Sequence, residues 1–179
     1  MSPRFGMVRR MLVFLGGSGP NNLTAQILHV LSDREFLHLQ VEVVIGCNHP
    51  DYNGIARLVC SRPLTTLSEA LPTLAYSMAI ADIMISGGGA TTWERMCLGL
   101  PAVVIAIADN QFQISAVLSH AGYQKYLGTA DEFSTAFFTE AVKSYLSRPE
   151  TIQNQMIKSF DLTDGNGTAR VCSLFLQKR

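Results

Sequence analysis

Three short segments of the chain carry residue types that bind phosphates and sugars, and each follows an apolar run. They are Gly16-Gly17-Ser18-Gly19, residues 86–94 and Asp109-Asn110-Gln111. Glycine lets a backbone approach a phosphate closely, and the start of the following helix offers unpaired N–H groups and the positive end of the helix dipole. We therefore expect the three segments to belong to one binding site.

The first segment predicts anion binding only in part. It matches neither a G-x-G-x-x-G pattern nor a Walker loop, since no Gly-Lys-Ser/Thr follows it. A glycine that follows a strand is about as often a simple turn residue as an anion-binding one. We take Gly16, Gly17, Ser18 and Asn21 as candidate binding residues, with a tight turn as the alternative.

The second segment contains three consecutive glycines and then begins a helix. Its amides and threonine hydroxyls suit a diphosphate, and a carboxylate one turn into the helix suits the two hydroxyls of a ribose. Alternatively, the threonines cap the helix and the glutamate favours the dipole, which contributes about 1 kcal/mol. Capping alone does not require three glycines, so we favour binding. The candidate residues are Gly88, Gly89, Ala90, Thr91, Thr92 and Glu94.

The third segment offers both hydrogen-bond donors and acceptors, which suits the hydroxyl or amide groups of a sugar. We take Asp109, Asn110 and Gln111 as its candidate residues, with an ordinary helix cap by Asp109 or Asn110 as the alternative. Binding of NAD is disfavoured, because the second strand ends at residues 43–48 without the acidic residue that holds a ribose in dinucleotide folds.

Apolar runs and helical periodicity place the elements that position these segments. We predict strands at residues 10–15, 40–45, 57–61, 83–86 and 101–108. Helices are predicted at 23–31 (capped by Asn21 or Asn22), 67–81 (with Pro72 as an alternative start), 91–98, 110–121, 134–146, 149–159 and 167–176. Alternating strands and helices indicate one doubly wound α/β domain with a parallel sheet, which binds ligands at the carboxyl ends of its strands.

Composition excludes several classes of protein. The chain has 179 residues, 47% of them hydrophobic, and 14 basic residues balance 14 acidic ones. This fits a single folded domain rather than a disordered chain, and gives no electrostatic reason to bind nucleic acid or an anionic membrane. No apolar run has the length of a membrane span or a signal peptide, so we expect a cytoplasmic protein.

The four cysteines are too scattered for a zinc site or a redox pair, so we expect buried free thiols in a reducing compartment, with no metal and no cofactor. They are Cys47, Cys60, Cys97 and Cys172.

The order of these motifs resembles a known family. Residues 13–24, 43–46, 85–94, 98–101, 108–111 and 164–168 together look like the C-terminal, UDP-binding domain of the pseudaminic-acid pathway UDP-sugar hydrolases. More distantly they are similar to the peptidoglycan UDP-N-acetylglucosamine transferases, which share the glycosyltransferase B fold. The resemblance implies a single doubly wound Rossmann-like domain of the α/β class, with a mostly parallel six-stranded sheet over residues 10–179, preceded by a linker-like segment at 1–9.

The resemblance also implies a site and a reaction. UDP would lie between the Gly16 and Gly87 loops, Glu94 would hold the ribose, Thr91 and Thr92 the diphosphate, and Asn110 and Gln111 the sugar. A loop at residues 76–80 would border the uracil. The reaction would be attack of water on the anomeric carbon of a nucleotide-sugar, with UDP as the leaving group, in pseudaminic acid biosynthesis.

In this family an N-terminal domain supplies the catalytic histidine, and the chain begins near the start of the second domain. We therefore expect a complementary N-terminal domain or subunit, or a homodimer, and little activity from the chain alone. The four histidines are expected to be structural; they are His29, His38, His49 and His120. Two alternatives stay open, the catalytic subunit of a split UDP-sugar glycosyltransferase and a non-enzymatic nucleotide-sugar-binding protein.

Overall fold

The centre of the molecule is formed by strands whose residues are buried on both faces. A computed structural model describes residues 6–16, 22–69 and 73–176. The six strands lie at Arg10–Phe14 (β1), Gln40–Ile45 (β2), Thr65–Glu69 (β3), Ile83–Gly87 (β4), Ala102–Ala106 (β5) and Lys125–Thr129 (β6). Every residue of β4 and β5 is buried, as expected when helices cover both faces of a parallel sheet.

The strands form one parallel sheet in the order β3-β2-β1-β4-β5-β6. The chain moves outward from β1 to β3, returns to the centre at β4 and continues outward to β6. The strand order therefore reverses between β1 and β4, which is the switch point where doubly wound folds bind ligands. The predicted α/β class and doubly wound architecture are confirmed, and the sheet is wholly parallel.

The helices lie at Leu23–Leu31 (α1), Tyr52–Ser61 (α2), Ala75–Ile80 (α3), Thr91–Cys97 (α4), Asp109–His120 (α5), Thr135–Leu146 (α6), Pro149–Leu162 (α7) and Gly167–Leu176 (α8). Helices α1 to α5 each connect two successive strands, and α6 to α8 follow β6. A larger apolar core fills one face of the sheet beneath α1, α2 and α6, and a smaller one lies on the opposite face around Met78 and Leu100. Within the described ranges, no helix is long and apolar enough to span a bilayer.

Two predicted elements are wrong. Residues 57–61, predicted as a strand, are the second half of α2, where Ile55 and Val59 are buried at helical spacing. Residues 67–69, predicted as the start of a helix, belong to β3, and α3 begins only at Ala75. Asn22 precedes α1 with φ 55°, but its side chain does not cap the helix; Asn21 lies outside the described residues.

The cysteine prediction is also wrong in one respect. All four thiols are free, but three are exposed and Cys97 is half-buried, so they are not core residues. Cys60 lies on the outward face of α2, the element that the sequence pattern assigned to a strand.

A buried guanidinium joins α1, α2 and the edge strand β3. Arg62 is 3% exposed, and its Nε donates to the carbonyl of Leu31 at 2.8 Å. Its two terminal nitrogens donate to the carbonyls of Phe36 and Leu39 at 2.6 and 3.2 Å, and to Thr65 Oγ1 at 2.8 Å. Burial lowers the pKa of Arg62, but a guanidinium stays charged at neutral pH.

Replacing Arg62 with methionine is expected to lower the free energy of unfolding by roughly 3 kcal/mol or more, because several buried carbonyls lose a charged donor. Urea denaturation measures the effect. The matched control is Arg57→Met on the exposed face of α2, the helix that ends directly before Arg62; it should change stability by less than about 0.5 kcal/mol. Equal losses in the two variants would contradict the assigned role of Arg62.

Candidate functional site

The three segments identified in the sequence leave adjacent strands at the same edge of the sheet. β1 pairs with β4, with Phe14 beside Ser86, and β4 pairs with β5, with Gly87 beside Ile105. Because all three strands are parallel, the loops that follow them lie side by side at the carboxyl edge, directly at the switch point. The structure thus brings the described parts of the three segments together.

Ile107 packs between the first two loops. A Cβ added to Gly16 would lie 3.4 Å from Ile107 Cδ1, and a Cβ added to Gly87 would lie 3.2 Å from the same atom. Gly16 has φ +89°, a backbone conformation that other residues rarely adopt. Gly16 therefore serves a turn and a close contact, while Gly17, Ser18 and Asn21 lie outside the described residues.

The next two glycines have different surroundings. A Cβ on Gly88 would lie 2.4 Å from Ser115 Oγ and 3.1 Å from Gln111 Cβ, so α5 packs directly against this position. A Cβ on Gly89 would meet only Gln111 Nε2, at an ordinary 3.6 Å. Packing therefore accounts for Gly88 and, with the Ile107 contact, largely for Gly87, whereas no close contact within the described residues requires glycine at position 89.

One side chain connects the second and third loops. Gln111 Oε1 accepts hydrogen bonds from the backbone N–H of Gly88 at 2.9 Å and of Ile107 at 3.0 Å. We call this pair of hydrogen bonds the Gln111 bridge. It occupies the Gly88 amide, so that amide is not available to a ligand while the bridge is intact.

The backbone amides after Gly88 remain unoccupied. The N–H groups of Gly89, Ala90 and Thr91 donate to no acceptor in the described part of the chain. No side chain caps α4, so the capping role considered for the threonines is not observed. Thr91 is half-buried, whereas the hydroxyl of Thr92 is buried and has no hydrogen-bond partner among the described residues.

The polar side chains around these amides are also unpaired. Glu94, Asp109 and Asn110 are exposed and make no hydrogen bond or ion pair with any described side chain. The capping role considered for Asp109 and Asn110 is not observed, since no side chain caps α5. Beside Asp109 a cleft of about 300 Å³ opens between the loops after β5 and β6, lined also by Phe112 and Asp131.

The histidines lie apart from these groups. His29, His38 and His120 are exposed on other elements, and His49 is 4% exposed in the loop after β2. Its Nδ1 accepts from the N–H of Asp51 at 3.2 Å, just before α2 begins, and burial lowers its pKa. Among the described residues, no group of three or more His, Cys, Asp or Glu side chains is placed to hold a metal ion.

The segment expected to border the uracil is not a loop. Residues 76–80 form most of helix α3, and the Ser77 hydroxyl donates to Glu42 Oε1 at 3.1 Å, in the middle of β2 rather than at its carboxyl end. The description of residues 76–80 as a loop is therefore wrong, while their expected place beside the uracil stays a prediction.

Sequence reasoning missed the structural use of α5. Gln111 was predicted only as a sugar ligand, and Ser115 was not considered, although both contact the glycine loop. The spacing of four does place Gln111 and Ser115 on one face of a helix, but nothing local in the sequence shows that this face packs against the glycine loop.

Comparison with known proteins identifies relatives of the whole domain. Residues 11–168 match the family model for the glycosyltransferase family 28 C-terminal domain. The chain is 25% identical over 171 residues to the spore coat polysaccharide biosynthesis protein SpsG of Bacillus subtilis, covering 93% of this chain and 49% of that protein.

Solved structures share the fold. MurG of Acinetobacter baumannii superposes with a TM-score of 0.76 at 19% identity, over 99% of this chain and 55% of that one. The UDP-GlcNAc 2-epimerase of Neisseria meningitidis, solved bound to UDP-GlcNAc, gives a TM-score of 0.70 at 21% identity, over 96% of this chain and 44% of that one. The chain thus spans about half the length of these proteins.

The family model covers the sheet, the three loops and nearly all the helices. The chain belongs to the glycosyltransferase family 28 C-terminal domain family.

Proposed function

We propose that this chain is the UDP-sugar-binding half of a nucleotide-sugar hydrolase of the pseudaminic-acid type. The observation that carries the proposal is the set of groups at the switch point that the protein itself leaves unpaired. They are the N–H groups of Gly89, Ala90 and Thr91 and the side chains of Glu94, Asp109 and Asn110. Amides suit a diphosphate and the polar side chains suit the hydroxyls of ribose and sugar.

The proposed assignments follow from this chemistry. The amides from Gly89 to Thr91 bind the diphosphate and stabilise UDP as it leaves. Glu94 accepts hydrogen bonds from the ribose hydroxyls, and Asn110 with Gln111 contacts the sugar. The base that activates water is proposed to come from a complementary half, equivalent to the part of SpsG that this chain does not cover.

A second function is favoured by one specific observation. The matching family model is described as a glycosyltransferase domain, and the same set of unpaired groups would serve transfer of the sugar to an acceptor. In that case the complementary half would bind the acceptor. A non-enzymatic nucleotide-sugar-binding protein would use the same groups and show no turnover.

The last helix supports a partner surface. No residue of α8 is buried, and large apolar side chains are more than half exposed at Val171, Leu174 and Phe175. Their spacing places them on one face of the helix, and an isolated ten-residue helix is marginal in water. We propose that the complementary half covers this face; a homodimer of the chain is the competing occupant, which light scattering would show.

Glu94→Ala is expected to raise the dissociation constant for UDP about tenfold or more, because charge-assisted bonds to the ribose are lost. Stability should change little, since Glu94 is exposed and unpaired within the described residues. Calorimetry of the 179-residue chain measures the affinity. Glu150→Ala, which removes an exposed acid from the first turn of α7, is the control and should leave the affinity unchanged. Absence of UDP binding at millimolar concentration in the unsubstituted chain would contradict the proposed function.

Alanine at the two neighbouring glycines should separate packing from binding. Gly88→Ala is expected to lower the free energy of unfolding by about 1–3 kcal/mol, because its Cβ meets Ser115 and Gln111. Gly89→Ala should leave stability within about 0.5 kcal/mol of the original and weaken UDP binding instead. Thermal denaturation and calorimetry measure the two effects, and equal stability losses in the two variants would refute the distinction.

Mixing the chain with a complementary N-terminal half should distinguish the functions. For a hydrolase we expect release of UDP from a UDP-sugar without an added acceptor, and little release by either half alone. Release only when an acceptor is added would identify a transferase. Binding without release under both conditions would favour the non-enzymatic protein.

A further inference from the structure

The orientation of the Gln111 carboxamide is fixed by its neighbours. Two backbone N–H groups, from Gly88 and Ile107, point at the same side-chain atom at 2.9 and 3.0 Å. A backbone N–H only donates, so the atom between them must be the oxygen and not the amide nitrogen. The nitrogen is therefore turned away from both amides.

The two amides lie on different structural elements. Gly88 follows β4, whereas Ile107 follows β5 and precedes α5, on which Gln111 itself lies. The Gln111 bridge thus fixes the separation between the glycine loop and the start of α5. The glycine loop leads directly into α4, which carries Thr91 and Glu94, and the start of α5 carries Asp109 and Asn110.

The free nitrogen lies beside Gly89, the member of the glycine triplet 87–89 that packing within the described residues does not explain. A Cβ on Gly89 would be 3.6 Å from Gln111 Nε2, and this nitrogen donates no hydrogen bond in the described ranges of the chain. While the bridge is intact, Gln111 presents only a hydrogen-bond donor to its surroundings.

We propose that Gln111 is a positioning residue: its oxygen holds the two loops of the site at a fixed distance, and the same two bonds fix the orientation of the carboxamide, so that the sugar contact already assigned to Gln111 under the proposed function is made by its nitrogen as a donor. This inference rests on the proposed function in its second part. Its first part concerns the ligand-free protein, so the two parts can fail separately. We therefore expect the site to favour a sugar that places a hydroxyl or carbonyl oxygen opposite Gln111 Nε2.

Two substitutions separate the roles of the oxygen and the nitrogen. Gln111→Glu keeps an oxygen that accepts from both amides but replaces the donor by a second acceptor. Gln111→Met keeps the length of the side chain and removes both functions. Gln113→Glu adds the same charge at an exposed, unpaired position on α5 and is the control for charge.

Hydrogen exchange of the ligand-free chain, followed by NMR, tests the bridge. In Gln111→Met, exchange of the Gly88 and Ile107 amides should accelerate about tenfold or more, whereas Gln111→Glu and Gln113→Glu should retain protection. Unchanged exchange in Gln111→Met would overturn the bridge, whatever the ligand data show. Should the methionine variant fail to fold, loss of protection in the glutamate variant would overturn the bridge equally.

Calorimetry with UDP and with UDP-N-acetylglucosamine as probes tests the donor. Gln111→Met should weaken UDP about fivefold, because the loops lose their fixed separation. Gln111→Glu should bind UDP with an affinity within about threefold of that of Gln113→Glu. The ratio of the affinity for UDP-N-acetylglucosamine to the affinity for UDP should be roughly fivefold lower or more in Gln111→Glu than in Gln113→Glu. Equal sugar contributions in the two glutamate variants would overturn the donor role. If the unsubstituted chain binds neither probe, the proposed function fails while the exchange result stands.

Discussion

The close approach of α5 to the loop after β4 is the contact on which the candidate site depends. Gly88 lacks a side chain where a Cβ would lie 2.4 Å from Ser115 Oγ, and this absence lets the loop sit against the helix. At that separation Gln111 reaches the amides of both Gly88 and Ile107. The contact and the Gln111 bridge together set the spacing between the unpaired groups that follow β4 and those that follow β5.

A second set of hydrogen bonds holds α4 to α5 from beneath. Arg95, fully buried on α4, donates to the carbonyl of Leu100 at 3.3 Å and to Gln124 Oε1, and Gln124 donates in turn to the carbonyl of Ser115 at 3.1 Å. Burial lowers the pKa of Arg95 to about 10, which leaves it charged at neutral pH. The acceptors of the Arg95 guanidinium are neutral oxygens. The network holds α4 in place, and Glu94 directly precedes Arg95 on that helix.

The sequence predicted the centre of the sheet well and its edges poorly. β1, β2, β4 and β5 are apolar runs because neighbouring strands and helices bury them, whereas the edge strands β3 and β6 are partly exposed and carry no such run. The three predicted loops lie side by side because they follow neighbouring central strands, while the binding role of their residues stays a prediction. The glycine triplet was harder to interpret, since the reason for Gly88 is Ser115, a contact between distant positions that no local pattern reveals.

Under the proposed function, the unpaired groups of the site orient the ligand. The diphosphate lies where unpaired amides supply positive potential, at Gly89 to Thr91. Carboxylates repel a diphosphate but accept hydrogen bonds from hydroxyls, so Glu94 and Asp109 must face the sugar rings. Glu94 follows the free amides on α4, and Asp109 lies across the Gln111 bridge on α5. A carboxylate on each side of the amides matches the order of ribose, diphosphate and sugar in a nucleotide-sugar.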